Sequence, residues 1–203
     1  MSKRYGMVID LKRCVGCYSC ALACKCENGT PKGVYWSKVL VSEKGKYPTT
    51  RMIFLPVLCM HCQNAPCIHV CPTGATYKRN DGIVLVEYDK CMGCRYCELS
   101  CPYDARVFME ELKAFQPDGV LTPYEERVYK KHHLGVAEKC QFCADRVDQG
   151  LEPSCVDTCP GFARFFGDLN DPTSEVCELI SAKNARQLLV ELGTGASVYY
   201  IGG

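Results

Sequence analysis

The cysteine pattern is the feature that most constrains this chain: it has 18 Cys in 203 residues, and all but Cys26 and Cys177 fall into four groups. The groups are, in chain order, Cys14, Cys17, Cys20 and Cys24; Cys59, Cys62, Cys67 and Cys71; Cys91, Cys94, Cys97 and Cys101; and Cys140, Cys143, Cys155 and Cys159. The first and third share the spacing C-x2-C-x2-C-x3-C, whereas the second and fourth have a longer middle gap. Cysteine at this density is typical of a disulfide scaffold or of a metal protein.

Composition and the chain start favour metal over disulfides. Disulfide scaffolds are typically short secreted chains, but the start MSKRYGMVID has no apolar signal segment, so we expect no export signal of its own. The longest apolar stretch, Met52 to Met60, is interrupted by Pro and is too short to span a bilayer. With 24 Lys plus Arg against 23 Asp plus Glu, the net charge of +1 gives no nucleic-acid footprint.

The spacing within the groups predicts iron-sulfur cubanes. Three Cys at i, i+3 and i+6 in a tight turn can each reach one iron of a cubane. The fourth Cys lies four positions further, already on the following helix, and points away to a different cluster, as in bacterial ferredoxins. Four-thiolate zinc sites are the alternative, but zinc ribbons use separated Cys pairs rather than three Cys within seven residues.

The flanks of the groups repeat as well, which predicts an internally duplicated α+β fold. VIDLKRCVGCYSCALAC at 8–24 matches LVEYDKCMGCRYCELSC at 85–101. The hydrophobic period predicts short helices that begin near Tyr18 and Arg95, and a helical tail over 174–192. We also expect a hairpin over 30–47 and an irregular polar insertion over 112–137. The predicted strands are Gly6 to Ile9, Ile83 to Glu87, Arg106 to Met109, Ala163 to Gly167 and Ser197 to Ile201.

Charged residues and glycines close to the groups have predictable roles. Gly16 and Gly93 lie between the first two Cys of their groups, where we expect positive φ or a close backbone approach. Cations next to the groups would offset the negative charge of thiolate-bound clusters, or else form ordinary solvated surface. These cations are Lys12, Arg13, Lys25, Lys90, Arg95, Arg106, Lys139 and Arg146.

The other conspicuous side chains are assigned structural roles. The two Cys outside the groups are expected to be buried, inert thiols. His61 and His69 lie inside the second group, where four Cys are already present, so we expect packing or hydrogen bonding rather than iron ligation. His132 and His133 predict a solvated patch, or else one that meets a partner, and Trp36 a core or interface position. No nucleotide-binding or hydrolase motif is present, so we expect no catalytic residue and no small-molecule substrate.

With its four groups in this order, the sequence resembles the four-cluster iron-sulfur subunits of the dimethyl sulfoxide reductase family of molybdopterin oxidoreductases. The resemblance covers nearly the whole chain and rests on GMVIDLKRCVGC, LCMHCQNAPC, CPTGA, KCMGCRYCELSCPYDAR and EKCQFCADRVDQGLEPSCVDTCP. Electron-carrying partners of arsenate, polysulfide and thiosulfate reductases are of this type. The stretches YKRNDGIVLVEYDK and ELGTGASVYY are also similar to the small subunits of pyrogallol transhydroxylase and catechol dehydroxylases.

The resemblance implies four 4Fe-4S clusters with crossed ligands, because groups one and four would exchange their last Cys, as would groups two and three. Cys94 is present where some relatives lack Cys and hold a three-iron cluster. The implied ligand sets are Cys14, Cys17, Cys20 and Cys159; Cys24, Cys140, Cys143 and Cys155; Cys59, Cys62, Cys67 and Cys101; and Cys71, Cys91, Cys94 and Cys97.

The resemblance also implies an arrangement of modules. Residues 1–30 with 135–170 would form one bacterial-ferredoxin-like module of two clusters, and 50–110 a second. A polar insertion at 111–134 and a wrapping tail at 171–203 would complete the chain.

The implied function is electron transfer, without catalysis, between a molybdopterin (Mo or W) subunit and a quinol-oxidising membrane partner or a soluble donor. The partner would reduce an inorganic oxyanion, a sulfur compound or an aromatic hydroxyl substrate in anaerobic respiration. A freestanding polyferredoxin, or the electron-transfer subunit of a hydrogenase or formate dehydrogenase, is the alternative. We expect a periplasmic or membrane-peripheral location through co-export with the catalytic partner, or else a cytoplasmic one.

Overall fold

The computed structural model describes residues 3–203, which form a mixed α+β fold of short elements. The strands are β1 (Tyr5–Asp10), β2 (Ser37–Lys44), β3 (Arg51–Leu58), β4 (Thr76–Lys78), β5 (Val84–Val86), β6 (Val107–Phe108), β7 (Ala137–Glu138), β8 (Arg164–Asp168) and β9 (Val198–Ile201). The helices are α1 (Ser19–Asn28), α2 (Pro66–His69), α3 (Tyr96–Leu99), α4 (Pro123–Val128), α5 (Ala144–Val147), α6 (Ser154–Asp157) and α7 (Glu175–Ala182). No helix in the described part of the chain is long and apolar enough to cross a membrane.

The strands pair in a cycle that follows the cysteine groups. In each antiparallel pair, the strand after one group lies beside the strand before the next group: β2 with β3, β4 with β5, and β6 with β7. The pair of β8 with β1 closes the cycle, because β8 follows the fourth group and β1 precedes the first. β9 adds to the free edge of β1 in parallel. All four groups are thereby held around one interior.

The hydrophobic core is built from aliphatic side chains and cysteines together. Met7, Val8 and Ile9 of β1 are fully buried. Eight cysteines of the groups belong to the main core cluster: Cys20, Cys24, Cys59, Cys62, Cys67, Cys97, Cys140 and Cys155. Since much of this interior is lined by sulfur, its packing depends on what the cysteines hold.

The backbone at the two matching groups has the same unusual conformation. Gly16 has φ +68° and Gly93 φ +74°, as predicted. A Cβ at Gly16 would lie 2.4 Å from the Phe54 ring, and one at Gly93 would lie 2.4 Å from the carbonyl oxygen of Gly135, so glycine is required at both positions. Tyr18 and Arg95, directly before α1 and α3, are both left-handed, with φ 62° and 60°.

The five strands and two helix starts predicted from the sequence are present, with ends that differ by at most one residue. The predicted hairpin was wrong in extent: its first strand is β2, but its second is β3, beyond 30–47, with Ser37 opposite Leu58. The insertion over 112–137 is not wholly irregular, because it contains α4. Thr122 and Glu125 form a capping box at the start of α4, a signal in the sequence that was missed. The tail helix, α7, ends at Ala182 rather than near 192.

Candidate functional site: four groups of cysteine sulfurs

The structure brings the sixteen grouped cysteines together in four sites, each with three Cys from one group and the fourth from another. Three sites surround small cavities, and the fourth is the most deeply buried. Site A contains Cys14, Cys17, Cys20 and Cys159; site B contains Cys24, Cys140, Cys143 and Cys155; site C contains Cys59, Cys62, Cys67 and Cys101; and site D contains Cys71, Cys91, Cys94 and Cys97. These are the four sets that were predicted as ligands, and their binding of iron stays a prediction.

Helix packing explains why the last Cys of a group joins another site. Cys24 lies on α1 one turn beyond Cys20, so its side chain faces α6, which packs against α1 and carries Cys155. In the other half, α2 with Cys67 packs against α3 with Cys97. Each pair of packed helices therefore joins two sites.

Several buried thiols of the sites resist ionisation in the absence of a cation. Burial, followed by the neighbouring sulfurs, raises the pKa of Cys24 and of Cys140, well above the ordinary value for Cys140. The same causes raise the pKa of Cys62 to about 12, and burial raises that of Cys143 to about 11. Four thiolates gathered in a dry pocket repel one another, and a positively charged iron-sulfur core would neutralise them. The donor set therefore fits a 4Fe-4S cluster.

Within residues 3–203, no three His, Cys, Asp or Glu side chains converge as the ligands of a single metal ion do. The thiolates of a cubane stand further apart, because each binds an iron at a different corner.

Amide N–H groups point at several of the sulfurs. The backbone N–H of Thr76 donates to Cys71 Sγ at 3.5 Å, and that of Ala163 donates to Cys159 Sγ at 3.4 Å. In site B, the side-chain amide of Asn28 donates to Cys24 Sγ at 3.4 Å. Such donors stabilise negative charge on sulfur and thereby favour the reduced state of a cluster.

Sulfurs of successive sites interact with one another, A with B, B with C and C with D, and we call this order the line of sites. The sulfur of Cys20 in site A is close enough to Cys155 in site B to raise the pKa of Cys155, after burial and against the nearby Arg164. Cys59 in site C acts in the same way on Cys140 in site B. Between sites C and D, burial raises the pKa of Cys97, and the sulfur of Cys67 raises it further against the nearby Arg106.

Of the cations near the groups, some are buried beside sulfur and some form surface ion pairs. Arg106, Lys25 and Lys139 are buried. Arg164 is buried as well, although it was not among the cations predicted from the sequence. The signal was present, because CPYDAR in the third group and CPGFAR in the fourth end on the same residue type. Surface carboxylates pair with Arg13, Lys90, Arg95 and Arg146, and Lys12 is exposed.

The two histidines of the second group lie in different surroundings. The ring of His61 is buried, stacks on Phe142 at a centroid distance of 3.7 Å and accepts a hydrogen bond on Nδ1 from the N–H of Val84. His69 is exposed. The prediction of packing and hydrogen bonding for His61 agrees with these contacts.

The predicted solvated patch was wrong for His132. Its ring is buried, Nδ1 lies 2.8 Å from the buried carboxylate of Glu138, and Nε2 donates to the carbonyl of Asn28. The Glu138 hydrogen bond and charge raise the pKa of His132 against the opposing effect of burial. His133 is half exposed, and Trp36 is a core residue, as expected.

The expectation of buried, inert thiols outside the groups was also wrong for Cys26. Cys26 is exposed, because it lies on the outer face of α1. Cys177 on α7 is half buried, and its sulfur lies 3.4 Å from the carbonyl oxygen of Leu169. Neither sulfur belongs to one of the four sites.

The end sites and the middle sites differ in what surrounds them. In the first and third groups, which dominate sites A and D, the residue after the first Cys is 64% exposed at Val15 and 66% exposed at Met92. The corresponding Met60 of the second group is 1% exposed. Two residues before the last Cys, the first and third groups present exposed Leu22 and Leu99. Both ends of the line therefore carry apolar surface.

Comparisons with known proteins agree with this geometry. A family profile described as a 4Fe-4S dicluster domain matches residues 50–118 and 119–169. A protein of Halobacterium salinarum, named as the iron-sulfur subunit of a dimethyl sulfoxide reductase, is 48% identical over 98% of this chain and 79% of its own length. A selenate reductase subunit of Mesobacillus selenatarsenatis is 46% identical over 96% of this chain and 70% of its own.

A third relative matches over nearly the full length of both chains. The arsenate respiratory reductase iron-sulfur subunit of Shewanella sp. strain ANA-3 is 40% identical over 98% of this chain and 96% of its own. The chain therefore belongs to the family of 4Fe-4S iron-sulfur subunits that serve reductases of the dimethyl sulfoxide, selenate and arsenate type.

Proposed function

We propose that this chain conducts electrons, one at a time, through four 4Fe-4S clusters held at sites A, B, C and D. The observation that carries the proposal is the line of four four-cysteine sites, with interacting sulfurs at each step and exposed apolar surface at both ends. The relatives are named as iron-sulfur subunits of reductases, which agrees with an electron-transfer subunit rather than a catalytic one.

The proposed assignment gives each site one cluster, with crossed ligands. Sites A and B would form one ferredoxin-like module from residues 1–30 and 135–170, supported by the pairing of β1 with β8 and by the packing of α1 on α6. Sites C and D would form the second module, from 50–110, supported by the pairing of β4 with β5. Residues 111–134 are then an insertion, and 171–203 a tail that reaches both modules. Tail contacts support this, because β9 pairs with β1 and the N–H of Gln63 donates to Gly195.

The protein's contribution to each transfer is to hold the clusters close together, to keep water away and to supply charge. Cubane clusters accept and donate single electrons with little rearrangement. Buried Cys20, Cys140 and Cys67 lie on the inner sides of the line, where few water molecules reorganise. Nothing in this role needs a substrate site of its own.

The proposed partners would bind at the two exposed ends. A catalytic subunit that contains molybdopterin, with Mo or W, would dock at one end, and a quinol-oxidising membrane subunit or a soluble donor at the other. Val15 with Leu22 and Met92 with Leu99 form the apolar surfaces that such partners would cover. From the names of its relatives, the partner would reduce an inorganic oxyanion or a sulfur compound, and an aromatic hydroxyl substrate is the further option. The assembly would lie at the membrane periphery, on the periplasmic side if the partner is exported, or otherwise in the cytoplasm.

Anaerobic metal analysis and single Cys variants test the proposal. The purified protein should contain about sixteen iron and about sixteen acid-labile sulfides per chain, since four ligands serve each of four cubanes. Cys24→Ser should then remove the same paramagnetic resonance signal as Cys140→Ser, and a different one from Cys14→Ser. If Cys24→Ser and Cys14→Ser lose the same signal, each group binds its own cluster and the crossed assignment is wrong. Stoichiometric zinc with little iron would reject the function altogether.

Co-purification separates this function from a freestanding polyferredoxin. Affinity purification from anaerobically grown native cells should bring down a large molybdopterin-containing subunit. A chain that purifies alone, with all four clusters and with rapid exchange to soluble ferredoxin partners, would favour the polyferredoxin. Recovery with a hydrogenase large subunit would assign a different complex.

A further inference from the structure

We propose that Arg106 and Arg164 set the reduction potentials of the clusters, each as a buried counter-ion shared by two neighbouring sites. Arg106 would serve sites C and D, and Arg164 sites A and B. This inference rests on the proposed function, because it needs clusters at those sites.

Arg106 is a buried cation that faces cysteine sulfurs and lines the cavity of site C. The residue is 3% exposed, and within residues 3–203 neither Nη1 nor Nη2 has a hydrogen-bond partner. A buried guanidinium without acceptors is costly, so its presence points to negative charge at that place. The sulfurs that face it are those of Cys67 and Cys59 in site C and Cys97 in site D. Burial lowers the pKa of Arg106, and these sulfurs raise it by more.

Arg164 has the matching position in the other half of the chain. It is 4% exposed and borders the cavity of site A. Its charge acts on Cys155 of site B and on Cys20 of site A, so it also lies between two sites. Its contacts with uncharged groups are a 3.4 Å hydrogen bond to Ser37 Oγ and a 3.8 Å contact with the sulfur of Met7. Neither contact neutralises the charge.

The two positions are equivalent in sequence, which makes coincidence a poor explanation. Each Arg is the fifth residue after the last Cys of its group, in CPYDAR and CPGFAR. Each group contributes three Cys to one site and its last Cys to the neighbouring site. An Arg five residues after the last Cys therefore lies between these two sites. The second group ends in CPTGAT, with Thr76 in that place, and its N–H bonds to Cys71 instead. One Arg therefore serves each pair of sites.

Lys25 shows what a purely structural buried cation looks like in this chain. It takes the place of the Pro that follows the last Cys in the other groups. Its ammonium donates to the carbonyls of Thr30, Pro31 and Val34, so its hydrogen-bonding capacity is filled by the backbone. Within residues 3–203, Nη1 and Nη2 of Arg106 have no such acceptors. Lys25 therefore stabilises the loop whose carbonyls it binds, whereas Arg106 is available to interact with a charged group.

The physical consequence is a higher and shared potential. A cluster that accepts an electron would become more negative by one charge. The neighbouring cluster that donates this electron would become less negative by one charge, and no proton would be transferred. A fixed guanidinium stabilises the more negative, reduced state of both neighbours, because it stays protonated at all working pH values. Each Arg would thus raise two potentials together and keep the transfer within its pair nearly balanced.

Redox-titrated electron paramagnetic resonance on the loaded, full-length protein tests this inference. In Arg106→Met, two of the four signals should shift to a lower midpoint potential. The equilibrium constant for reduction should fall at least tenfold, which corresponds to about 59 mV for one electron. Arg164→Met should shift the other two signals. Arg106→Lys keeps the positive charge, so its midpoint potentials should lie close to those of the wild type. The matched control is Lys90→Met, which removes an exposed cation one residue before a site cysteine and should leave all four potentials in place. Cys97→Ser and Cys20→Ser identify the signals of sites D and A.

The outcomes separate this inference from the proposed function. A wild-type protein without about sixteen iron would reject the function itself, before any Arg variant is measured. If the wild type is fully loaded and Arg106→Met is loaded with unchanged potentials, or shifts all four signals equally, the shared counter-ion is rejected. Should Arg106→Met lose iron, Arg106→Gln, which keeps planar hydrogen-bond donors without charge, replaces it. If that variant loses iron too, Arg106 is needed for assembly and the potential-setting role is rejected.

Discussion

The end groups and the middle groups of this chain use closely related cysteine spacings in opposite surroundings. Groups one and three place Leu22 and Leu99 on the surface, two residues before their last Cys. Groups two and four have His69 and Asp157 at the corresponding positions, also exposed but polar. Cluster binding requires none of these four side chains, since the spacing of the Cys provides the ligands. The exposed leucines of groups one and three therefore mark the surface where we propose that partner proteins bind, whereas groups two and four present polar side chains to water.

The burial of the sulfurs shows the same difference. Cys17 in site A is exposed, whereas Cys140 in site B is buried and borders both Phe142 and Lys139. In the proposed function, an exposed edge would bring a cluster at an end site within electron-transfer distance of a partner, and a buried interior would keep a cluster at a middle site from reacting with anything else. Variants in each region can test that division.

Removal of iron should abolish the fold in both regions, since eight of the sixteen site cysteines belong to the main core. Chelation of iron in the presence of a thiol reductant should eliminate most of the cooperative unfolding transition, measured by far-ultraviolet circular dichroism during heating. Incubation with the chelator's iron complex is the control and should change nothing. A cluster-free protein that melts cooperatively at the original temperature would contradict the prediction and show that the cores pack without metal.

Loss of a middle ligand should cost more than loss of an end ligand. Cys140→Ser should empty site B, interrupt the line and lower the melting temperature by about 5 °C or more relative to Cys17→Ser. The reason is that Cys140 is enclosed by the core, whereas Cys17 is at the surface. Differential scanning calorimetry with iron analysis measures both variants. Equal destabilisation would remove the distinction between end and middle sites.

Charge introduced at the apolar ends should weaken partner binding. Leu22→Glu and Leu99→Glu should each raise the Kd for one partner about tenfold, because a buried Leu contributes about 1.5 kcal/mol or more at an interface. His69→Glu is the matched control at the same position of the second group and should leave both Kd values unchanged. Reduction by dithionite, which needs no docking, should be unaffected in all three. An effect of His69→Glu as large as those of the Leu variants would show that the ends are not distinguished.

The smallest effect concerns the pH dependence of stability near site B. The pKa of His132 is raised in the folded protein by Glu138, so its ion pair stabilises the fold fully below the unfolded pKa of about 6.5. This contribution, about 1 to 2 kcal/mol, should be lost as pH rises through the folded pKa. His132→Gln should flatten the difference in denaturant midpoint between pH 6 and pH 9.

His133 provides the control for that measurement. It is half exposed and lies 3.7 Å from the exposed Asp89, so His133→Gln should keep the pH dependence of the wild type. A parallel loss in both variants would place the titration elsewhere in the chain.

Local sequence signals predicted a large part of the fold. The strands near the groups were predicted from β-branched and aromatic runs beside Cys-Pro turns. The positive φ of Gly16 and Gly93 was predicted from their position between two Cys. Strand pairing between separate segments was harder to predict. β3 was not recognised as the second strand of the hairpin, since a Pro interrupts it and its pairing with β2 is decided by register across the turn.

Whether a single polar residue is buried or exposed could not be predicted from the sequence, for a similar reason. His132 and His133 are neighbours with the same side chain, yet one is buried against Glu138 and the other faces water. Lys90 and Lys139 both precede the first Cys of a group, but only Lys139 is buried, where its ammonium donates to the carbonyl of Cys140. Burial depends on which distant segments pack over a residue, and no local pattern encodes that.

By itself, the sequence determined which residues cluster, what they are suited to bind and to which family the chain belongs, because ligand spacing is a short-range property that a few residues contain. Tertiary structure alone decided the order of the four sites, the burial of Arg106 and Arg164 between them, and the exposure of the two ends. Those features arise where segments far apart in the chain meet, as β1 near the start meets β8 near the end. Long-range contacts of that kind are selected by the packing of the whole core rather than by any segment of it.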